Sequence, residues 1–178
     1  MLVTFLRRLA GAAMLDAATY EEVEADRSAT KQALGVVLLS SIAAGIGLNG
    51  ARGVAATLSF AALASVLALA TWATFAVVTF HVGSRLLPVD GTRADAGELL
   101  RTLGFAAAPG VIQVFGLFSP APIATAVLAL AWTIAASVVA VRQALDFNST
   151  GRAIAVCLVG WGLPLAIAAT LAVAVSGG

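Results

Sequence analysis

Residues 54–82, VAATLSFAALASVLALATWATFAVVTFHV, run for 29 positions without an Asp, Glu, Lys or Arg. As an α-helix this stretch is about 43 Å long, more than the roughly 30 Å of a bilayer's hydrocarbon core. It is expected to cross a membrane with tilt, or to project beyond it near His81 and Arg85. Upstream, residues 33–48 form a 16-residue apolar segment between Lys31 and Asn49, joined to the long stretch by the tight Gly50-Ala51-Arg52-Gly53 turn. Downstream, residues 84–98 contain Pro88, Gly91, Arg93, Asp95 and Gly97, the chemistry of a polar loop. Three further apolar segments follow at 99–118, 123–141 and 153–175, separated by Ser119-Pro120-Ala121-Pro122 and by the polar turn 142–152. Pro109 and Pro164 fall inside the third and fifth segments. Each is expected to bend its helix by removing a hydrogen bond at membrane depth, which neighbouring helices or waters must make good.

Composition supports this. Hydrophobic residues make up 61% of the 178 residues and charged ones 11%, a balance that a soluble domain of this size could not carry on its surface. The expectation is an all-α polytopic membrane protein: a cytoplasmic helical segment over 1–32, then a five-span domain over 33–178. Orientation follows from alternate turns. Arg7, Arg8, Arg27, Lys31, Arg85, Arg93, Arg101, Arg142 and Arg152 fall on one side and Arg52 alone on the other, as do all nine acids on the first side. The positive-inside rule then places the N-terminus in the cytoplasm and, after five spans, the C-terminus outside.

Within the first segment, Leu2, Leu6, Leu9, Ala13, Ala17 and Tyr20 recur every three or four residues, with Arg7 and Arg8 beside the stripe. That is the pattern of an amphipathic helix lying in the headgroup layer, its arginines toward anionic lipid. The run Leu9-Ala10-Gly11-Ala12-Ala13 is too short before Asp16 for a cleaved leader. Thr19 and Glu22 have capping-box spacing, so a second helix carrying Glu21, Glu22, Glu24 and Asp26 is expected to start at Thr19.

Net charge is +1, too little for nucleic-acid binding. Cys157 is the only cysteine, which excludes an intrachain disulfide and a cysteine metal cage. His81, the single histidine, sits near a span end and reads as interfacial. No nucleophile, base or metal-ligand set converges, so no catalysis, cofactor or metal is expected. Arg142 and Asp146 have i,i+4 spacing and are expected to pair close to Glu98 and Arg101. Gln113 and Asn49, amides at membrane depth, are expected to hydrogen-bond between helices. Ala43 with Gly47, and Gly104 with Ala108, are small-xxx-small pairs that permit close helix approach.

This order of elements resembles the Yip1-domain family, in bacterial form. Asp16 to Asp26 leading into Gln32-Ala33-Leu34 is similar to the approach to that family's first span. Arg101-Thr102-Leu103-Gly104-Phe105-Ala106-Ala107-Ala108-Pro109 resembles its third span, where an Arg and a Gly-aromatic pair precede a proline. Trp132, Arg142-Gln143-Ala144-Leu145 and Arg152-Ala153 extend the likeness over the whole chain. The resemblance implies architecture first. Its eukaryotic members act in membrane traffic and associate with small prenylated GTPases through cytoplasmic surfaces; the present chain has about 30 residues before its first span, against their long cytosolic region.

The expected function is a non-enzymatic scaffold of the bacterial inner membrane, organising the bilayer or binding a membrane-protein partner or a second copy of itself. Its interaction surface is expected on the cytoplasmic side, from Tyr20, Glu21, Glu22, Glu24, Asp26, Glu98, Arg101, Arg142 and Asp146. One alternative is a small transporter or lipid-handling protein with a site near broken spans three and five. Another is an accessory subunit of a larger membrane complex.

Overall fold

The computed structural model describes residues 2–86 and 95–162, and within them the chain is entirely helical or turn. Two short helices open it, α1 (Leu2–Ala13) and α2 (Ala17–Ala25). Then come α3 (Ala29–Asn49), a single 3-10 turn, and α4 (Val54–His81), whose last turn widens into a π-helical stretch over Val82–Leu86. Next are α5 (Ala96–Phe105), a 3-10 leg (Ala108–Phe118) and α6 (Pro122–Ala144). A further helix, α7, begins at residue 150 and is followed to 162.

Among the described residues, four segments are long and apolar enough to cross a membrane: Ala29–Arg52, Val54–Arg85, Ala96–Phe118 and Pro122–Ala144. With 21, 28 and 23 residues, α3, α4 and α6 span about 31, 42 and 34 Å. α7 starts where the fifth span was expected; the remainder of that span, with Pro164, lies outside the described residues.

Several boundaries differ from the sequence reading, each for a local reason. α2 starts at Ala17 rather than Thr19, because Asp16 is the cap: its carboxylate accepts from the Thr19 amide at 3.2 Å and hydroxyl at 2.6 Å. The capping box belongs to Asp95 and Glu98 instead. Asp95 accepts from the Gly97 and Glu98 amides, and Glu98 reaches back to the Asp95 amide at 2.7 Å. Span three therefore begins at Ala96, and the expected loop over 84–98 is shortened at both ends. The turns after α1 and α6 share one design: Leu15 and Asp146 sit in the left-handed region (φ 62° and 51°), and the next amide, Asp16 or Phe147, returns five residues to Gly11 or Arg142. This satisfies carbonyls that the helix ends would leave open.

Span three is not a bent α-helix but two kinds of helix in series. α5 ends at Phe105, and Pro109 lies in the first turn of the 3-10 leg. A backbone N–H at that position would have no helical partner, so proline, which lacks one, costs no interior hydrogen bond there. The leg's 11 residues extend about 22 Å, and it packs chiefly on α3 and α6.

Between apolar helices in lipid no hydrophobic force acts, so close contact depends on small residues. α3 supplies them. A side-chain carbon at Gly47 would overlap the backbone carbonyl of Gln113, and one at Gly104 would press on Ala33. α3 and the α5–leg span thus form the centre of the bundle, while α4 is peripheral, burying only Ala61, Phe75, Ala76 and Thr79. Leu58, Leu63, Val66 and Leu67 of α4 and Val127, Leu128 and Leu130 of α6 are exposed, an apolar belt suited to acyl chains.

Candidate functional site

At one end of the bundle, α2 packs against α5 and α6 while α1 packs on α2, α5 and the 3-10 leg, and the chain's charges are sorted into an inner and an outer set. The inner set is a lock. Arg8 is 6% exposed, and its guanidinium meets Glu22 at 2.9 Å and Asp26 at 2.8 Å and donates to Gln32 at 3.1 Å. Arg7 reaches the same Glu22 at 2.6 Å. These are the ion pairs among the described residues, and they correct the expectation that Arg7 and Arg8 face lipid: both face α2. Leu2 and Leu6 do point outward, with Val3, whereas Phe5 and Leu9 pack on the protein core.

Tyr20 and Arg101 were expected on the interaction surface, and both are interior. Tyr20 is fully buried and donates its hydroxyl to the Ala12 carbonyl at 3.0 Å, joining α1 to α2. Burial pushes the phenol's pKa upward. Arg101, 5% exposed, donates from Nε to the Val23 carbonyl at 3.1 Å and the Glu24 carbonyl at 2.9 Å. The last carbonyls of a helix lack intrahelical partners and carry its negative dipole end. Arg101 thus caps α2 from 77 residues away, and a buried charge is satisfied by peptide dipoles. Sequence spacing gives no warning of this, although α2 ends at Ala25-Asp26 with no Gly to cap it.

The outer set is acidic. Glu21, Glu24, Glu98 and Asp146 surround a hollow of about 360 Å³ with Gln143, whose amide donates to Glu21 at 3.3 Å. Burial first, and then the nearby charges of Glu98 and Asp146, push the half-buried Glu24 carboxyl up to about 7. In contrast, Glu22 and Asp26 are held below the usual carboxylate range, Glu22 chiefly by Arg7 and Asp26 chiefly by Ser28 and Arg8. Among the described residues no three acidic, His or Cys side chains are placed to hold a metal. Arg142 does not pair with Asp146. With Asp146 turned into the left-handed region, the guanidinium donates to the Phe147 carbonyl at 3.2 Å and lies 3.4 Å from the Thr150 hydroxyl.

A second feature lies mid-span. A partly open cavity of about 320 Å³ is walled by the central turns of α3, α4 and α6, by span three and by α7. Its lining residues with polar side-chain atoms are Ser40, Ser41, Thr71, Trp72, Gln113, Thr133, Ser137 and Trp161, and among the described residues no charged side chain lines it. Neither amide bridges helices as expected: Gln113 donates to the Gly110 carbonyl of its own leg at 3.1 Å, and Asn49 accepts from Arg52. Sequence reading passed over this cavity because hydroxyls are scattered through every span. The available signal was spacing: Ala64, Ala68, Thr71 and Phe75 form one helical stripe, as do Thr133 and Ser137. His81 is exposed, with a ring nitrogen 2.8 Å from the Val77 carbonyl.

Among the described residues, four apolar segments long enough to cross a membrane surround a small-residue core with a charged helical cap at one end, which defines a multi-pass helical membrane protein. Residues 16–173 match the Yip1 domain, and the chain belongs to that family. No curated protein and no solved structure matches it.

Proposed function

We propose that this Yip1-family protein is a non-enzymatic membrane scaffold that uses its charged end, on the cytoplasmic side, to hold a membrane-protein partner with basic residues close to the bilayer. The supporting observation is the sorting of charge. Glu22 and Asp26 are consumed by Arg7 and Arg8, whereas Glu21, Glu24, Glu98 and Asp146 crowd one hollow without an ion pair among the described residues. Burial first, and then the like charges of Glu98 and Asp146, raise the Glu24 carboxyl, so repulsion within the hollow adds to a desolvation cost. A basic partner would relieve that repulsion on a surface already rigid through Tyr20 and Arg101.

Five spans, an external C-terminus and an inner-membrane location complete the reading. The exposed Leu2, Val3 and Leu6 of α1 suit insertion into the headgroup layer beside the partner.

The test is copurification in mild detergent. Changing Glu21, Glu24 and Asp146 to Lys should remove a stoichiometric partner while helix content and elution volume stay unchanged, because among the described residues these side chains make no ion pair, and the exposed Gln143–Glu21 hydrogen bond at 3.3 Å is the contact between helices that is lost. Glu22→Lys serves as the contrast, since it should loosen α1 itself. Partner recovery unaffected by the triple change would overturn the reading.

A further inference from the structure

We propose that α1 is a wedge in the leaflet at the charged end, recognising loosely packed acyl chains through Leu2, Val3, Leu6 and Ala10 without calling on anionic headgroups. The proposal rests on the reading above that α1 meets the headgroup layer, and it adds which property of the lipid α1 reads.

Geometry is the first argument. Leu2, Leu6, Ala10 and Val3 fall within an arc of about 100° on the helix, and all four are exposed. The opposite side, with Phe5, Leu9 and Ala12, is taken up by the protein core. Depth comes from the neighbours. α2 packs chiefly on α5 and α6, whereas α1 also packs on the 3-10 leg, which begins at Ala108, past the whole of α5. Thus α1 lies on the bilayer side of α2. Arg8 holds Gln32, and the exposed apolar surface of α3 starts two residues later at Leu34 and continues through Leu39 and Ile42. The free face of α1 is therefore continuous with the lipid-facing belt. Its four side chains are all apolar, with no polar group by which a protein partner could be specified.

Charge decides which lipid property is read. Arg7 and Arg8 are the charged side chains of α1, and with Glu22 and Asp26 they form a cluster of zero net charge. Arg27 and Lys31, the nearby cations outside it, lie before α3 and in its first turn rather than on α1. Near an anionic surface a free arginine would favour insertion about fivefold. With both arginines paired that gain is absent, and insertion is left to the apolar face. Such a face enters where gaps between headgroups bare the acyl chains, so it responds to packing.

The full chain, with a fluorophore on Ala10→Cys, is placed singly in nanodiscs whose lipids bear a spin label on the headgroup or at a shallow acyl carbon; Cys157 is buried and stays unlabelled. The bilayers are dioleoyl phosphatidylcholine, the more tightly packed palmitoyl-oleoyl phosphatidylcholine, and the dioleoyl lipid with phosphatidylglycerol added. Quenching by the acyl label is expected to be severalfold stronger in the first than in the second, and equal in the first and third. Changing Leu2, Val3 and Leu6 to Ser should abolish it while amide exchange in α1 stays slow, because Phe5, Arg8 and Leu9 keep their contacts. Glu22→Gln with Asp26→Asn frees both arginines, and should introduce the phosphatidylglycerol dependence that the unaltered protein lacks. Acyl quenching that rises with phosphatidylglycerol in the unaltered protein, or that is equal in the two phosphatidylcholines, would overturn the proposal. Quenching by the headgroup label alone would overturn the wedge and leave α1 at the surface; quenching by neither label would overturn the underlying reading as well. A nanodisc presents both leaflets alike and holds no partner, so these outcomes are independent of the orientation of the chain and of partner recruitment.

Discussion

Arg8 keeps its charge while 6% exposed because three acceptors from α2 and α3 surround it. Replacing it with Ala removes hydrogen bonds that each involve a charged group, worth about 1.5–3 kcal/mol apiece. Glu22 retains Arg7 and Asp26 retains Ser28. The expected net loss is therefore on the order of 2 kcal/mol, read as earlier thermal unfolding and faster amide exchange across Leu2–Ala13. Unchanged exchange in α1 would show that packing alone holds it. Acidity discriminates between neighbours on the same helix. Glu22 and Asp26, lowered from ordinary values of 4.5 and 3.8, bind fewer protons folded than unfolded, so their contribution is present above those values and is lost as pH falls through the depressed ones. Glu24 has the opposite sign. Its folded value of about 7 exceeds 4.5, so the folded state binds more protons, and stability declines as pH rises from 4.5 to about 7. Glu24→Gln should stabilise the protein above pH 7, by on the order of 1 kcal/mol after solvent screening of a half-exposed group, and have little effect below pH 4.5. An unaltered pH dependence would mean that neither burial nor the charges of Glu98 and Asp146 raise the Glu24 carboxyl.

At the scale of elements, two glycines of α3 distinguish packing from propensity. Gly47 abuts a backbone carbonyl that cannot rotate away, whereas nothing lies within 4 Å of where a side chain on Gly35 would begin. Gly47→Val should separate α3 from the 3-10 leg at a cost of about 1–3 kcal/mol; Gly35→Ala should be neutral or gain up to about 1 kcal/mol. Unfolding of both variants in mixed micelles measures the contrast, and equal effects would reject the close contact. The apolar cores of the spans were legible in the sequence because lipid demands long uncharged helices, as residues 54–82 illustrate. The ends were less so. Asp95 and Glu98 had the spacing of a capping box, yet Pro88, Gly91 and Gly97 made the stretch read as a loop. Asp16 took the cap assigned to Thr19 because the turn at Leu15 had already ended α1. Arg101 was invisible as a cap for a different reason: helix-end carbonyls accept from any donor that the tertiary fold delivers, and that information is not local. Of the residues expected on an interaction surface, Tyr20 and Arg101 lie in the interior, whereas Glu21, Glu24, Glu98 and Asp146 border one hollow.

For the whole molecule, two kinds of physics meet at one end. Outside the lipid, burial of Tyr20 and Val23 draws on the hydrophobic effect; inside it, small residues permit contact among helices that lipid would otherwise solvate equally well. The charged cap can thus form only where water is, and it sets the orientation of the chain. α2 packs against the start of α5 and the end of α6, so those termini share a side; α7 begins there and passes inward to stack Trp161 on Phe75. Arg52, alone among ten basic residues, lies in the opposite turn. The proposed orientation, with the capped end in the cytoplasm by the positive-inside rule and five spans in all, would place Gly178 outside. Reporter fusions within residues 87–94 and after Gly178 should therefore report opposite sides: fluorescence of a cytoplasm-dependent reporter at the first position and activity of an export-dependent phosphatase at the second. Both reporters on one side would mean that the chain crosses four times, with the segment after α7 returning to the face it left.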